Sequence, residues 1–250
     1  WIECTSQDIP FGYWGTFTNG KHALVCDFEN SFLTPTPEFR HNENFISQKS
    51  SIHIIDDKLK VKIDRVLFGE SFEQILYSEN NSNEKDPNLR ASRNLPFKNF
   101  VVNHVSYDGI SINNTPGYKE TLELEFSNNV QKFGTSMLMK PINLYYQPEF
   151  TLYKKRYNPI YISNHFRMID TTEFNIPKGY ALEELPPSLE TSTRFGKFET
   201  QYQLKDNLLV VTTLGELNKG IYPVSNYEEL RDFLSEISRK ENHKLLLKKL

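Results

Sequence analysis

Ser51-Ile52-His53-Ile54-Ile55, then Asp56-Asp57, then Lys58-Leu59-Lys60-Val61-Lys62-Ile63-Asp64-Arg65 is the stretch that decides the fold. Leu59, Val61 and Ile63 alternate with Lys60, Lys62 and Asp64. Side chains of a strand point to opposite faces in turn, so this run has one dry face and one wet face, the mark of an antiparallel sheet. Two residues between two such runs read as a tight hairpin. The same pattern recurs downstream. Leu122, Leu124 and Phe126 alternate with Thr121, Glu123 and Glu125; Phe198, Thr200, Tyr202 and Leu204 alternate with Glu199, Gln201 and Gln203. Lys205-Asp206-Asn207 separates that last run from Leu208–Leu214, a second hairpin.

Helices are few. Ser71 and Gln74 have capping-box spacing ahead of Phe72, Ile75 and Leu76. Ser225 and Glu228 repeat that spacing before Tyr227, Leu230, Phe233, Leu234 and Ile237, which recur on one helical face. Arg239 and Lys240 suit the negative end of that helix. Lys244–Leu247 then reads as a closing strand, and a lone amphipathic helix beside many strands should cover a sheet. Thr34–Asn44, Ser78–Pro96 and Pro141–Pro159 read as loops, the second of them mobile because it is rich in Asn, Ser, Glu and Asp.

Composition sets the class. Hydrophobic residues make up 38% of 250, but aromatics reach 13%, and Phe and Tyr each bury a large area, so a core is within reach. Net charge is -3, with Lys and Arg dispersed. A nucleic-acid partner needs a clustered basic face, so that partner is not expected. No apolar run approaches the ~20 residues that span a bilayer, so no transmembrane segment is expected in this chain. The chain opens at Trp1 with neither Met nor signal peptide, which reads as a processed or truncated chain.

Residues able to carry chemistry are sparse. Cys4 and Cys26 could form one disulfide or stay as two thiols, and spacing does not choose between them. With His22 they are the nearest Cys/His set, but a nucleophilic thiol also needs a positioned base and an oxyanion hole. Packing for Cys4 and a polar turn for His22 are the simpler reading. The six histidines show no ligand spacing, so no metal is expected. Glu79, Asn81, Asn83 and Asp86 lack the spacing of a calcium loop and read as a solvated acidic loop. No glycine-rich phosphate motif occurs, so no cofactor is expected. Tyr145, Tyr146, Tyr153, Tyr157 and Tyr161 are expected to pack in a core or between domains, the rarer fate being an exposed surface for a sugar or a partner protein.

Two segments carry a resemblance. Trp1-Ile2-Glu3-Cys4-Thr5-Ser6-Gln7, followed by Pro10-Phe11-Gly12-Tyr13, resembles the end of the papain-like core in bacterial transglutaminase-like proteins flanked by β-rich domains of unknown function. Ile176-Pro177-Lys178-Gly179-Tyr180, Glu184-Leu185-Pro186, Phe195-Gly196-Lys197-Phe198 and Tyr227 with Leu230-Arg231 and Phe233 resemble the C-terminal β domain of the same proteins. Lys155–Ile160 resembles the linker into it. Such a core performs acyl transfer with a Cys-His-Asp set, and the resemblance implies the triad-acid position for Glu3, where the family has Asp. Nucleophile and base would lie upstream of Trp1.

The expected fold is therefore mainly β: antiparallel β-sandwich-like units with a few short helices and one amphipathic helix near the C-terminus. Residues 1–39 read as the remnant of a transglutaminase-like core with a linker. Residues 40–152 read as a β-rich domain and 153–250 as a C-terminal β-sandwich domain with a helix over 225–240. The resemblance implies a non-catalytic accessory role in a periplasmic or cell-surface protein, supporting a core that acts on peptide or amide bonds. Its partner would be that upstream core or another envelope protein. The alternative is a β-sandwich binding module that docks an envelope protein or a glycan.

Overall fold

Asp56 and Asp57 both adopt left-handed backbone (φ 51 and 62), the geometry a two-residue hairpin turn demands. In the computed structural model, which describes Cys4 and residues 6–140, 153–241 and 244–250, that turn joins the two central strands. The N-terminal part carries a one-turn helix α1 (Gly15–Thr18) and a hairpin of β1 (His22–Val25) and β2 (Phe32–Pro35). β3 (Phe45–Ile55) and β4 (Lys58–Phe68) follow, then α2 (Glu70–Asn81) and α3 (Pro87–Asn94). β5 (Phe100–Ile112), β6 (Thr115–Phe126), β7 (Val130–Phe133) and β8 (Ser136–Met139) complete the first half. Next come β9 (Ile160–Ile162), β10 (Phe166–Asn175), β11 (Tyr180–Leu182), β12 (Leu189–Thr193), β13 (Gly196–Lys205), β14 (Leu208–Leu217) and β15 (Gly220–Tyr222). A 3-10 turn over Val224–Asn226, α4 (Tyr227–Glu241) and β16 (Leu245–Lys249) close the chain.

The strands form a mainly β architecture. Eight of them make one sheet in the order β12-β13-β14-β10-β3-β4-β6-β5. β11-β16-β8-β7 make a second sheet. Pairing is antiparallel except between β10 and β3, which run parallel with Met168 opposite Ile46 and Phe174 opposite Ile52. Parallel neighbours need a long crossover, and here the connection spans more than a hundred residues, so local patterning could not show it. Both sheets mix strands from before and after residue 152: β10 lies beside β3, and β16 lies beside β8.

One face of the large sheet is wet. It carries ion pairs such as Lys49–Glu173 and Lys58–Glu125. The other face is dry and has two covers. At one end Ile52, Val61, Leu124, Phe174 and Leu209 share a core with Met137, Met139, Leu245 and Leu247 of the small sheet, a sandwich. At the other end Ile46, Leu67, Phe166, Met168 and Phe198 pack against Phe233 and Ile237 of α4, with Ile75 of α2 beside them. The alternation seen at Leu59–Ile63 and Leu122–Phe126 places those residues inward, as the pattern predicts.

Local details depart from expectation. The segment from Ser78 to Pro96 is mostly helical. α2 continues to Asn81, and α3 follows its N-cap Asp86, whose side chain accepts the Asn88 and Leu89 amides while Pro87 occupies the first turn. Ser71 does not cap α2. The N-cap is Gly69 (φ 65), and the Oδ1 of buried Asn44 accepts the Glu70 amide at 2.9 Å. Ser225 sits in the 3-10 turn, so α4 begins at Tyr227. Tyr153, Tyr157 and Tyr161 are exposed instead of packed. On β9, Ile160 and Ile162 take the inward parity and leave Tyr161 outward. Tyr145 and Tyr146, with most of the Pro141–Pro159 loop, lie outside the described residues.

Candidate functional site

A polar row crosses the dry face where its two covers meet. Reading along the sheet, the aligned residues are Thr200, Thr213, Asp170, Gln48, Arg65, Glu120 and Tyr107. Their neighbours two positions away on β4 and β6 are Ile63, Leu67, Leu122 and Tyr118, so each charge interrupts a dry strand face. The Arg65 side chain is 10% exposed and that of Glu120 2%. The Arg65 Nε–H donates to Glu120 Oε2. Tyr107 lies opposite Glu120 in the strand register; burial, then the charge of Glu120, push its ionisation well above the ordinary phenol range. Further along the row, Gln48 donates its Nε2–H to Asp170 at 2.8 Å, and the Thr172 hydroxyl donates to the other Asp170 oxygen at 2.9 Å.

The Arg65–Glu120–Tyr107 part of the row floors a cavity of about 540 Å³ beneath α2 and α3. Ligand pockets of small molecules fall in this range. Its roof is fastened by an Arg90–Glu79 ion pair, by Arg90 Nη1 on the Glu84 carbonyl at 3.0 Å, and by Asn94 on the Ser78 hydroxyl at 2.7 Å. The supposed acidic loop thus supplies structure: Glu79 pairs with Arg90, and Asp86 caps α3.

Behind α2 the N-terminal segment is clamped to the sheet body. Tyr13 is buried against Phe39 and Phe72, with Trp14 stacked on Phe39. The Tyr13 hydroxyl donates to Glu73 Oε1 at 2.8 Å, and the Thr16 amide donates to the same oxygen at 2.7 Å. Desolvation and the adjacent Glu73 raise the Tyr13 ionisation far above its ordinary value.

Glu3, the triad-acid position by resemblance, lies outside the described residues. Cys4 and Cys26 are exposed and not joined in a disulfide, and His22 is exposed at the first position of β1. Histidines that look scattered in sequence include one pair in space: the His41 and His165 rings lie 4.7 Å apart. Among the described residues no group of three or more His, Cys, Asp or Glu is arranged to hold a metal.

The fold and the cavity define a mainly β sandwich with a helix-roofed pocket. Residues 135–247 match DUF3858, a domain of unknown function with a solved structure. A search of curated proteins returns no match. Among solved structures, the chain is similar to a crystallised "putative protease" from Parabacteroides distasonis ATCC 8503, at 24% identity and a TM-score of 0.35, covering 39% of this chain and 19% of that one. A TM-score that low does not establish a shared fold.

Proposed function

We propose that this chain is the non-catalytic accessory part of a transglutaminase-like protein of the bacterial envelope, a β platform that holds a core acting on peptide or amide bonds. The observation that supports it is the clamp on Pro10–Thr18. The segment that resembles the end of a papain-like core is tied by Tyr13, Thr16 and Glu73 to a helix of the sheet body. An aromatic cluster packed this way resists reorientation, because each buried ring contributes a few kcal/mol. The platform therefore fixes where an attached core points. Glu3 is the triad residue carried by this chain, and periplasmic or cell-surface placement belongs to the same reading. A second reading, a binding module for an envelope protein or glycan, is favoured by the β1–β2 hairpin, which exposes Leu24, Phe28, Phe32 and Leu33.

The test uses the protein with its upstream region present, assayed on amide substrates. The 250-residue chain alone is expected to show no turnover. In the longer protein, Glu3→Gln is expected to lower kcat roughly a hundredfold or more, as loss of the base-orienting acid does elsewhere. Glu73→Ala is expected to loosen the N-terminal segment in hydrogen exchange. Turnover by the chain alone, or full activity of Glu3→Gln, overturns the accessory reading. Saturable binding of cell-wall glycan that Phe32→Ser removes would establish the second.

A further inference from the structure

A buried ion pair gives little stability over an apolar pair of similar volume, since both charges must leave water. Arg65 and Glu120 nevertheless occupy positions whose neighbours in the strand are aliphatic or aromatic. Their place at the floor of a cavity suggests a different use. Among the described residues Arg65 makes a hydrogen bond only through its Nε–H, and the same side chain lines the cavity, so the donors of its terminal nitrogens are available to an occupant. A carboxylate has about four acceptor positions, and Arg65 accounts for one of those on Glu120. The floor thus offers donors and an acceptor side by side, with its charges already paired. Walls of Ile46, Leu67, Ile75, Leu95 and Phe97 are apolar.

We propose that this cavity binds a neutral carboxamide on a short apolar stem, its carbonyl on the Arg65 guanidinium, its N–H on Glu120, and its stem between the α2–α3 roof and the sheet. An anion would add a charge beside Glu120 and Glu79, and a cation one beside Arg65 and Arg90. Either would bring an unbalanced charge into a cavity whose own charges are already paired. A neutral group that both donates and accepts is the match. A free small amide and a glutamine side chain share this chemistry. The site is independent of the accessory role proposed above.

The probes are isovaleramide, isovalerate and isoamylamine, near-isosteres with neutral, negative and positive heads, titrated while following the Arg65 Nε–H resonance by NMR. Saturable binding of the amide is expected, with both charged probes about tenfold weaker or worse, the penalty for an unpaired charge in a cavity. Arg65→Leu combined with Glu120→Leu removes both heads together and avoids stranding one charge. Leu95→Trp narrows the cavity and keeps the pair. Monitored through backbone amides lining the cavity, each variant is expected to lose the amide response. Equal response to all three probes, no response, or a response that survives Leu95→Trp overturns the proposal. A blocked glutaminyl peptide that binds tighter than isovaleramide assigns the source to a peptide, and the reverse order assigns it to a free amide; both orders require the site.

Discussion

Asp170 is 2% exposed in the middle of β10. Burial pushes its carboxyl up from 3.8 to about 6, against the pull of bonds from Gln48 and Thr172. Between those values the folded protein holds a proton that the unfolded chain has released. Stability therefore falls as pH rises through this window and stays lower above it, by about 3 kcal/mol. Asp170→Asn keeps the size and removes the charge, so it is expected to raise the urea midpoint at pH 7 and to flatten the loss between pH 4 and 6. The neutral acid has one more use: among the described residues the Gln48 Oε1 is buried without a partner, and a turned-over amide would accept the Asp170 proton. Asn44 is the other residue with several duties. It caps α2, gives Nδ2–H to the His165 carbonyl at 2.6 Å, and accepts the Arg167 amide on its own carbonyl. Asn44→Ala is expected to cost roughly 1–3 kcal/mol, because the carbonyl and amide it leaves lie in a water-poor junction. Gly69 beside it is at φ +65, and an added Cβ would lie 2.8 Å from the Asn44 Cα, so no other residue fits that corner.

At the scale of elements, α4 shows how far periodicity reaches. Tyr227, Leu230, Phe233 and Ile237 are buried, as their helical spacing predicts, since a 3.6-residue repeat puts them on one side. Phe233 meets the α4-covered end of the large sheet. Phe233→Ala is expected to destabilise by about 3–5 kcal/mol, read as a lower melting temperature with the sheet signal retained until unfolding. The α3 helix lies in a segment that reads as a loop, although Asp86-Pro87, a capping residue followed by the residue best tolerated in a first turn, marks its start. Its polar composition and short length hid it: eight residues make few contacts of their own, and α3 is held by the sheet edge at β5 and by Arg90. The first-turn assignment for α2 failed for a related reason. Its cap comes from Asn44, distant in sequence, and not from Ser71.

For the whole molecule, the parallel β3–β10 pairing and the β8–β16 pairing stitch early and late strands into both sheets. Neither half of the chain completes either of the two larger sheets alone among the described strands. Unfolding is therefore expected to be one cooperative transition, with the same urea midpoint by far-UV circular dichroism and by fluorescence of the aromatic cluster at Tyr13 and Trp14. Separate midpoints for the two probes would show that the N-terminal clamp opens first.

The mainly β class, the inward faces of β4 and β6, both hairpins and the α4 face follow from residues within a few positions of one another, because strand and helix periods are local. Even the parity of Glu120 with Leu122 and Leu124, and of Arg65 with Ile63, is present in the sequence, and it marks both charges as inward. That they meet, floor a cavity, and lie in one row with Asp170 was decided by tertiary structure. Register between strands 55 and 122 residues apart fixes which inward residues touch. Such register comes from the joint packing of two sheets and two helices on one dry face, which no single segment encodes.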